Sequence, residues 1–140
     1  MRNTKILFIS ILILLVSFCN RNSEKAKQYN NAIALEMKFL ADLEKEIALK
    51  DGPELDAVID RFKKAVPDSK VKIEKLGNFE GDDSLLNSAL AVCNFYQEVI
   101  DGKWSSKGQE AIQNRDEELD KDLQKKQLEF ASKFNFKIGQ

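Results

Sequence analysis

The 140-residue chain contains no histidine. Without an imidazole, the Ser-His-Asp and Cys-His arrangements of nucleophilic catalysis cannot be built in their usual form. Zinc sites that need imidazole, and the Glu-x-x-His motif of di-iron helical bundles, are excluded on the same ground. Cysteine is scarce: only Cys19 and Cys93 occur, and neither stands in a CxxCH stretch, so covalent attachment of a c-type haem is excluded. Once Cys19 is acylated or removed, Cys93 has no partner within the chain, and no disulfide framework supports the fold. An excess of one charge is also lacking, with 22 basic residues against 23 acidic ones. So weak a field gives nucleic acid no electrostatic foothold, and nucleic acid is not an expected partner. There is no solenoid-type repeat, no low-complexity segment and no convincing strand pattern. No catalytic residue, cofactor or metal is expected.

What is present begins at the N-terminus. Arg2 and Lys5 make a positive start, and Ile6 to Phe18 is an apolar run of 13 residues interrupted only by Ser10 and Ser17. A permanent membrane span needs about 20 apolar residues, so the run has the length of an export-signal core. Two processing routes fit it. In the first, "VSFC" (residues 16–19) resembles a bacterial lipobox: aliphatic Val16 at −3, small Ser17 at −2, then Cys19 as the lipid-modified first residue. Phe18 stands where Gly, Ala or Ser is usual, a variety that the relaxed lipoboxes of spirochaetes tolerate. In the second, an ordinary signal peptidase cuts after Cys19, with Ser17 and Cys19 as the small residues, and the product is soluble. The lipid route leads. It divides the chain into a signal peptide (1–18), the lipidated Cys19 with a polar tether (19–25) and a helical domain (26–140). The 122 residues from Cys19 onward carry a net charge of −3 and are enough for one core.

The mature chain reads as four helices. Ser23 is placed to cap the first, which runs to about Lys50 with a stripe of Tyr29, Ile33, Met37, Leu40, Leu43 and Ile47. "KDGP" ends it, Gly52 suiting a left-handed helix end and Pro53 the first turn of the next helix. The second stripe (Leu55, Ile59, Phe62, Val66, Ser69, Ile73, Leu76) keeps its phase through Pro67. That pattern predicts one kinked helix or two collinear ones, with Ser69 as a cap of the second piece. After "GNFEGDD", Asp82 or Asp83 caps a third helix running to about Asp101, the most apolar of the four. "DGKWSSKG" is a loop or frayed end. The fourth helix, about Lys107 to Phe134, has a thinner stripe of Ile112, Leu119, Leu123, Phe130 and Phe134, and Phe136 and Ile138 are placed to fold back on the bundle. Four helices with short connections predict an all-α, antiparallel up-down four-helix bundle.

Few residues stand out as candidate sites. "EGDDS" (80–84) gathers three carboxylates that a hard cation would accept, but helix capping by Asp82 and Asp83 accounts for them without a metal. "RDEELDKDLQKK" (115–126) pairs Glu117 with Lys121 and Asp122 with Lys126 on a solvated face; its functional alternative is a surface for a basic segment of another protein. Trp104, the only tryptophan, is either an interface anchor or a cover for the end of the bundle, and Phe79 reads as a plug of that covering kind. Cys93 reads as a buried core residue and not a reactive thiol. The residues expected to bind a partner are Trp104, Lys121, Lys125 and Lys126.

The lipobox-like start, the "YN" of Tyr29 and Asn30, and "NFEGDDSLLNSALAVCNFYQEVIDGKW" (78–104) together resemble a family of small bacterial surface lipoproteins of spirochaete type. The shared features are an aromatic-acidic-Gly-Asp turn, a helix of small residues and the Phe95–Tyr96 pair. Some members are labelled Erp-like, which implies capture of host complement regulators and of plasma or matrix proteins. The resemblance implies an outer-membrane protein held at the cell surface by lipid on Cys19 and binding a host protein, in adhesion or complement evasion. A structural or accessory lipoprotein facing the periplasm, with an envelope partner and no host ligand, is the alternative.

Overall fold

An apolar stripe on a helix must be covered, and these four cover one another. The computed structural model describes the backbone of residues 3–139 and the side chains of residues 22–139. Helix α1 spans Asn3–Leu49, α2 Gly52–Leu76, α3 Ser84–Ile100 and α4 Gln109–Lys133. They form an up-down four-helix bundle, in which most contacts join helices adjacent in sequence. The seam between α1 and α4, which closes the bundle, is touched far more sparingly. Among the described residues there is no strand, only a single bridge between Phe79 and Asp82.

The core follows the predicted stripes. Ile33, Leu40, Val66, Ile73, Leu85, Ala89, Cys93 and Phe130 are among its most buried members. Its two ends are closed by aromatic rings. At the end where α1 meets the tail, Tyr29 packs tilted on Phe79 and Phe130, and Phe134 meets Phe79 edge-on at 4.9 Å. The Tyr29 hydroxyl donates to the carbonyl of Gly77 (2.7 Å), and burial pushes its pKa up to about 12. At the other end Phe62 meets Tyr96 edge-on, and Trp104 meets Phe95.

Several local expectations change, and the open alternative at Pro67 resolves. Residues 22–25 are turns of α1 and not a tether, and Ser23 donates to the carbonyl of Asn135 (2.7 Å) instead of capping a helix. The stretch holds no glycine or proline to stop a helix, and Ala26 at its end is fully buried. Helix α2 passes through Pro67 as one element. Pro67 is exposed, so the carbonyl it leaves without a donor lies on the wet side. Ser69 is consequently no cap; it is buried and donates to Glu36 (2.8 Å), which Lys72 also reaches (3.0 Å). The tail divides: Phe136 packs on Phe130, whereas Ile138 stays exposed.

Candidate functional site

The turn before α3 was one candidate. Phe79 and Asp82 exchange two backbone hydrogen bonds of 2.9 Å around Glu80 and Gly81, both with positive φ. This two-residue hairpin turn fixes Asp82, whose carboxylate accepts from the Ser84 amide (2.9 Å) and hydroxyl (2.7 Å) and meets Lys133 at 2.5 Å. The Lys133 ammonium and the Ser84 hydroxyl lower its pKa to about 2. Asp82 is thus a cap for α3 and a tie to α4, and Asp83, at the N-cap position, makes no side-chain cap bond. Among the described residues no cluster is placed to hold a metal ion. Cys93 is buried, and burial pushes its thiol up to about 11, a core residue.

The expected binding residues are scattered. The side chain of Cys19 lies outside the described residues. Trp104 is half-buried: it stacks edge-on against Phe95 at 5.1 Å, donates to Glu98 (3.0 Å) and carries the Lys107 ammonium over its ring at 4.2 Å. It covers the end of the bundle. Lys121 faces Glu117 as predicted, at 3.9 Å. Lys126 turns to Glu129 (3.0 Å) instead of Asp122, and Lys125 reaches the same Glu129 at 3.9 Å. Asp122 is withdrawn by the buried Ser88 hydroxyl, which donates to it at 2.6 Å. Trp104 precedes the start of α4, while Lys125 and Lys126 stand about 25 Å further along it at 1.5 Å per residue. The structure does not bring these residues into one site.

What the structure does bring together lies at the Trp104 end, in the sparsely closed α1–α4 seam. A half-open groove of about 570 Å³ runs there, within the range of ligand pockets. Its apolar lining comes from Ile47, Phe62, Phe95, Val99 and Ile112, and its polar wall from Glu44, Gln109, Gln113, Asp116 and Glu117. The Tyr96 hydroxyl at the base donates to Glu44 (3.1 Å). Burial raises the pKa of Glu44, and the neighbouring Asp116 charge adds to the effect. Asp116 is raised by burial and then by Asp120, one turn along α4. One oxygen of Asp116 is buried and accepts no hydrogen bond. Burial and the Glu44 charge push the Tyr96 hydroxyl far above its ordinary range. No basic side chain lines the groove. Two partly buried carboxyls, Glu44 and Asp116, therefore meet across the sparsely closed seam without a basic partner.

Sequence reading missed Glu44 and the grouping around it, although a signal existed. The α4 stripe steps from Ile112 to Leu119, skipping a turn, and Asp116 occupies the skipped place. Glu44 stands four residues after Leu40 and three before Ile47, on the shoulder of the α1 stripe.

The comparisons with known proteins add nothing to this site: no family model, curated protein or solved structure matches the chain. Among the described residues no helix is long and apolar enough to cross a membrane.

Proposed function

We propose that the chain is a lipid-anchored protein of a bacterial outer membrane that acts as a protein-binding module at the cell surface, akin to the small spirochaete-type lipoproteins. The observation that carries the binding half of this reading is the groove. It is an apolar trough with a polar rim, set on a rigid scaffold at the seam the bundle leaves loosely closed. Interfaces are built around such fully desolvated apolar centres with polar margins. The anchoring half rests on the signal-like N-terminus and Cys19. Acyl chains on that cysteine give stable attachment where one chain alone gives marginal binding. Host complement, plasma or matrix proteins are the partner class the resemblance implies.

The test combines two measurements on intact cells. Protease shaving, with a Cys19→Ala strain alongside and the N-terminal mass determined in both, reads address. Acyl mass on Cys19 and removal by external protease are expected. A chain that starts at Asn20 without lipid refutes the anchor, and an acylated but protected chain moves the module to the periplasmic side. Amine-reactive cross-linking of host-exposed cells reads function. A discrete complex that survives washing is expected, and its absence under conditions that cross-link neighbouring surface proteins would end the protein-binding reading.

A further inference from the structure

The groove in the α1–α4 seam has a definite chemical preference. Its apolar lining favours burial of aliphatic groups. Its wall sets Glu44 on α1 against Asp116 on α4, with Glu117 beside them and no lysine or arginine lining the space. Several carboxylates elsewhere have cations of their own, such as Glu36 with Lys72, Glu46 with Arg61 and Asp82 with Lys133, and Glu117 at the groove rim has Lys121. Glu44 and Asp116 form no ion pair, and the buried oxygen of Asp116 lacks any donor. Burial is the first cause of the raised carboxyl pKa values, with the Asp116 charge adding at Glu44 and the Asp120 charge at Asp116. What this space lacks is one cation carried on an apolar body.

We propose that the groove takes a basic amphipathic segment of a partner protein, with one lysine or arginine reaching Glu44 and Asp116 and its aliphatic neighbours lying on Ile47, Val99 and Ile112. The occupant is a protein segment on grounds of size and shape. The α4 wall runs from Gln109 to Glu117, about 12 Å at 1.5 Å per residue, which is a little over two turns. A docking helix presents anchors at i, i+3 and i+4 over that length. Gln109 and Gln113 at the rim offer amides to the polar shoulder of such a segment. This inference rests on the protein-binding reading above and gives the partner its chemistry. The charge run of α4 thereby contributes through its acidic members at the N-terminal half, not through Lys121, Lys125 and Lys126.

Binding of a short leucine–lysine helical peptide to the purified mature protein, followed by calorimetry and by Trp104 fluorescence, tests it. Trp104 stacks on Phe95, which lines the groove, so its emission reports occupancy. The measurement belongs at about 0.15 M salt, where the Debye length is about 8 Å and the diffuse field of the molecule is screened. The leucine–lysine peptide is expected to bind and shift the emission, and its leucine–glutamate counterpart is not. The double variant Glu44→Gln, Asp116→Asn should weaken binding by about tenfold or more. The double variant Glu118→Gln, Glu129→Gln makes the same charge change outside the groove and should stay within about twofold. Gln113→Lys, which leaves both carboxylates in place and supplies an internal cation, should also block the peptide, and it serves if the double groove variant fails to fold. No binding to the wild-type protein, equal binding of the two peptides, or equal loss in both double variants would overturn the inference. A cross-linked surface complex together with failed peptide binding removes the basic-segment proposal and leaves the protein-binding reading standing; the reverse pattern removes that reading and leaves the groove's preference.

Discussion

Asp116 condenses the physics of the seam into one side chain. It stands one turn from Asp120 on the same helix face and opposite Glu44, and burial first, then the Asp120 charge, raises its pKa. A like-charge i,i+4 pair destabilises a helix by a few tenths of a kcal/mol, and partial burial of the carboxylate adds to that. Asp116→Asn is therefore expected to stabilise the protein at neutral pH by roughly 0.5–1 kcal/mol. A rise in the urea midpoint with an unchanged slope would show it; a fall would mean that the fold already satisfies this charge and that the seam is not strained. Single residues were the least legible scale in the sequence. Trp104 had two open readings because its loop position left packing undecided, and only the Phe95 ring and Glu98 beneath it assign the end-cover role. The Asp122–Lys126 pair had the right spacing, but a buried Ser88 on another helix competed for the carboxylate, and spacing along one helix carries no information about a neighbour.

Elements were legible wherever a stripe kept its phase. Helices α2 and α3 came out near their predicted limits because Gly52, Pro53, Gly77 and the Phe79–Asp82 turn are local signals that no distant contact overrides. The beginning of the first bundle helix was not legible. A polar, charged stretch reads equally as tether or exposed helix, and the deciding contacts are long-range: buried Ala26, and Ser23 against Asn135 of the tail. The phase of α2 through Pro67 allowed one helix or two, and the structure has one. Proline inside a helix costs about 3 kcal/mol, partly offset by the restricted unfolded chain, which favours proline by about 0.4–1 kcal/mol. With an exposed ring and a wet carbonyl, Pro67→Ala is expected to raise stability by about 1–2 kcal/mol, seen as a higher melting temperature. Loss of stability in that variant would mean the proline geometry is needed to aim Ser69 at Glu36.

At the scale of the whole molecule, two sets of carboxyls set opposite pH dependences. Glu44 and Asp116 have folded pKa values raised above their ordinary 4.5 and 3.8, so the folded state holds protons more tightly than the unfolded one. Their contribution is fully present below those ordinary values and is lost as pH rises through the raised ones. Asp82 has the reverse sign: lowered from 3.8 to about 2, it stabilises above 3.8 and loses that contribution as pH falls toward 2. The chain is therefore expected to be most stable on the acid side of neutrality, with a higher denaturation midpoint near pH ~5 than near pH ~7.5 and a decline below about pH 3. Glu44→Gln with Asp116→Asn should flatten the first change and Lys133→Met the second; a midpoint that climbs steadily toward pH ~8 would contradict the strained seam. The architecture itself was the most legible feature, because four apolar faces joined by short connections leave few other arrangements. The loosely closed seam was not, since Glu44 and Asp116 are far apart in sequence and meet only in the bundle. One consequence concerns posture. In a chain held by lipid at Cys19, only Asn20 and Arg21 would separate the anchor from Asn22 along α1. The aromatic end that holds Tyr29 then rests beside the lipid headgroups. Glu44 stands about 22 Å beyond Tyr29 along the same helix. With lipid on Cys19, the open seam would thus lie toward the end of the bundle away from the anchor, where a partner from the medium could reach it.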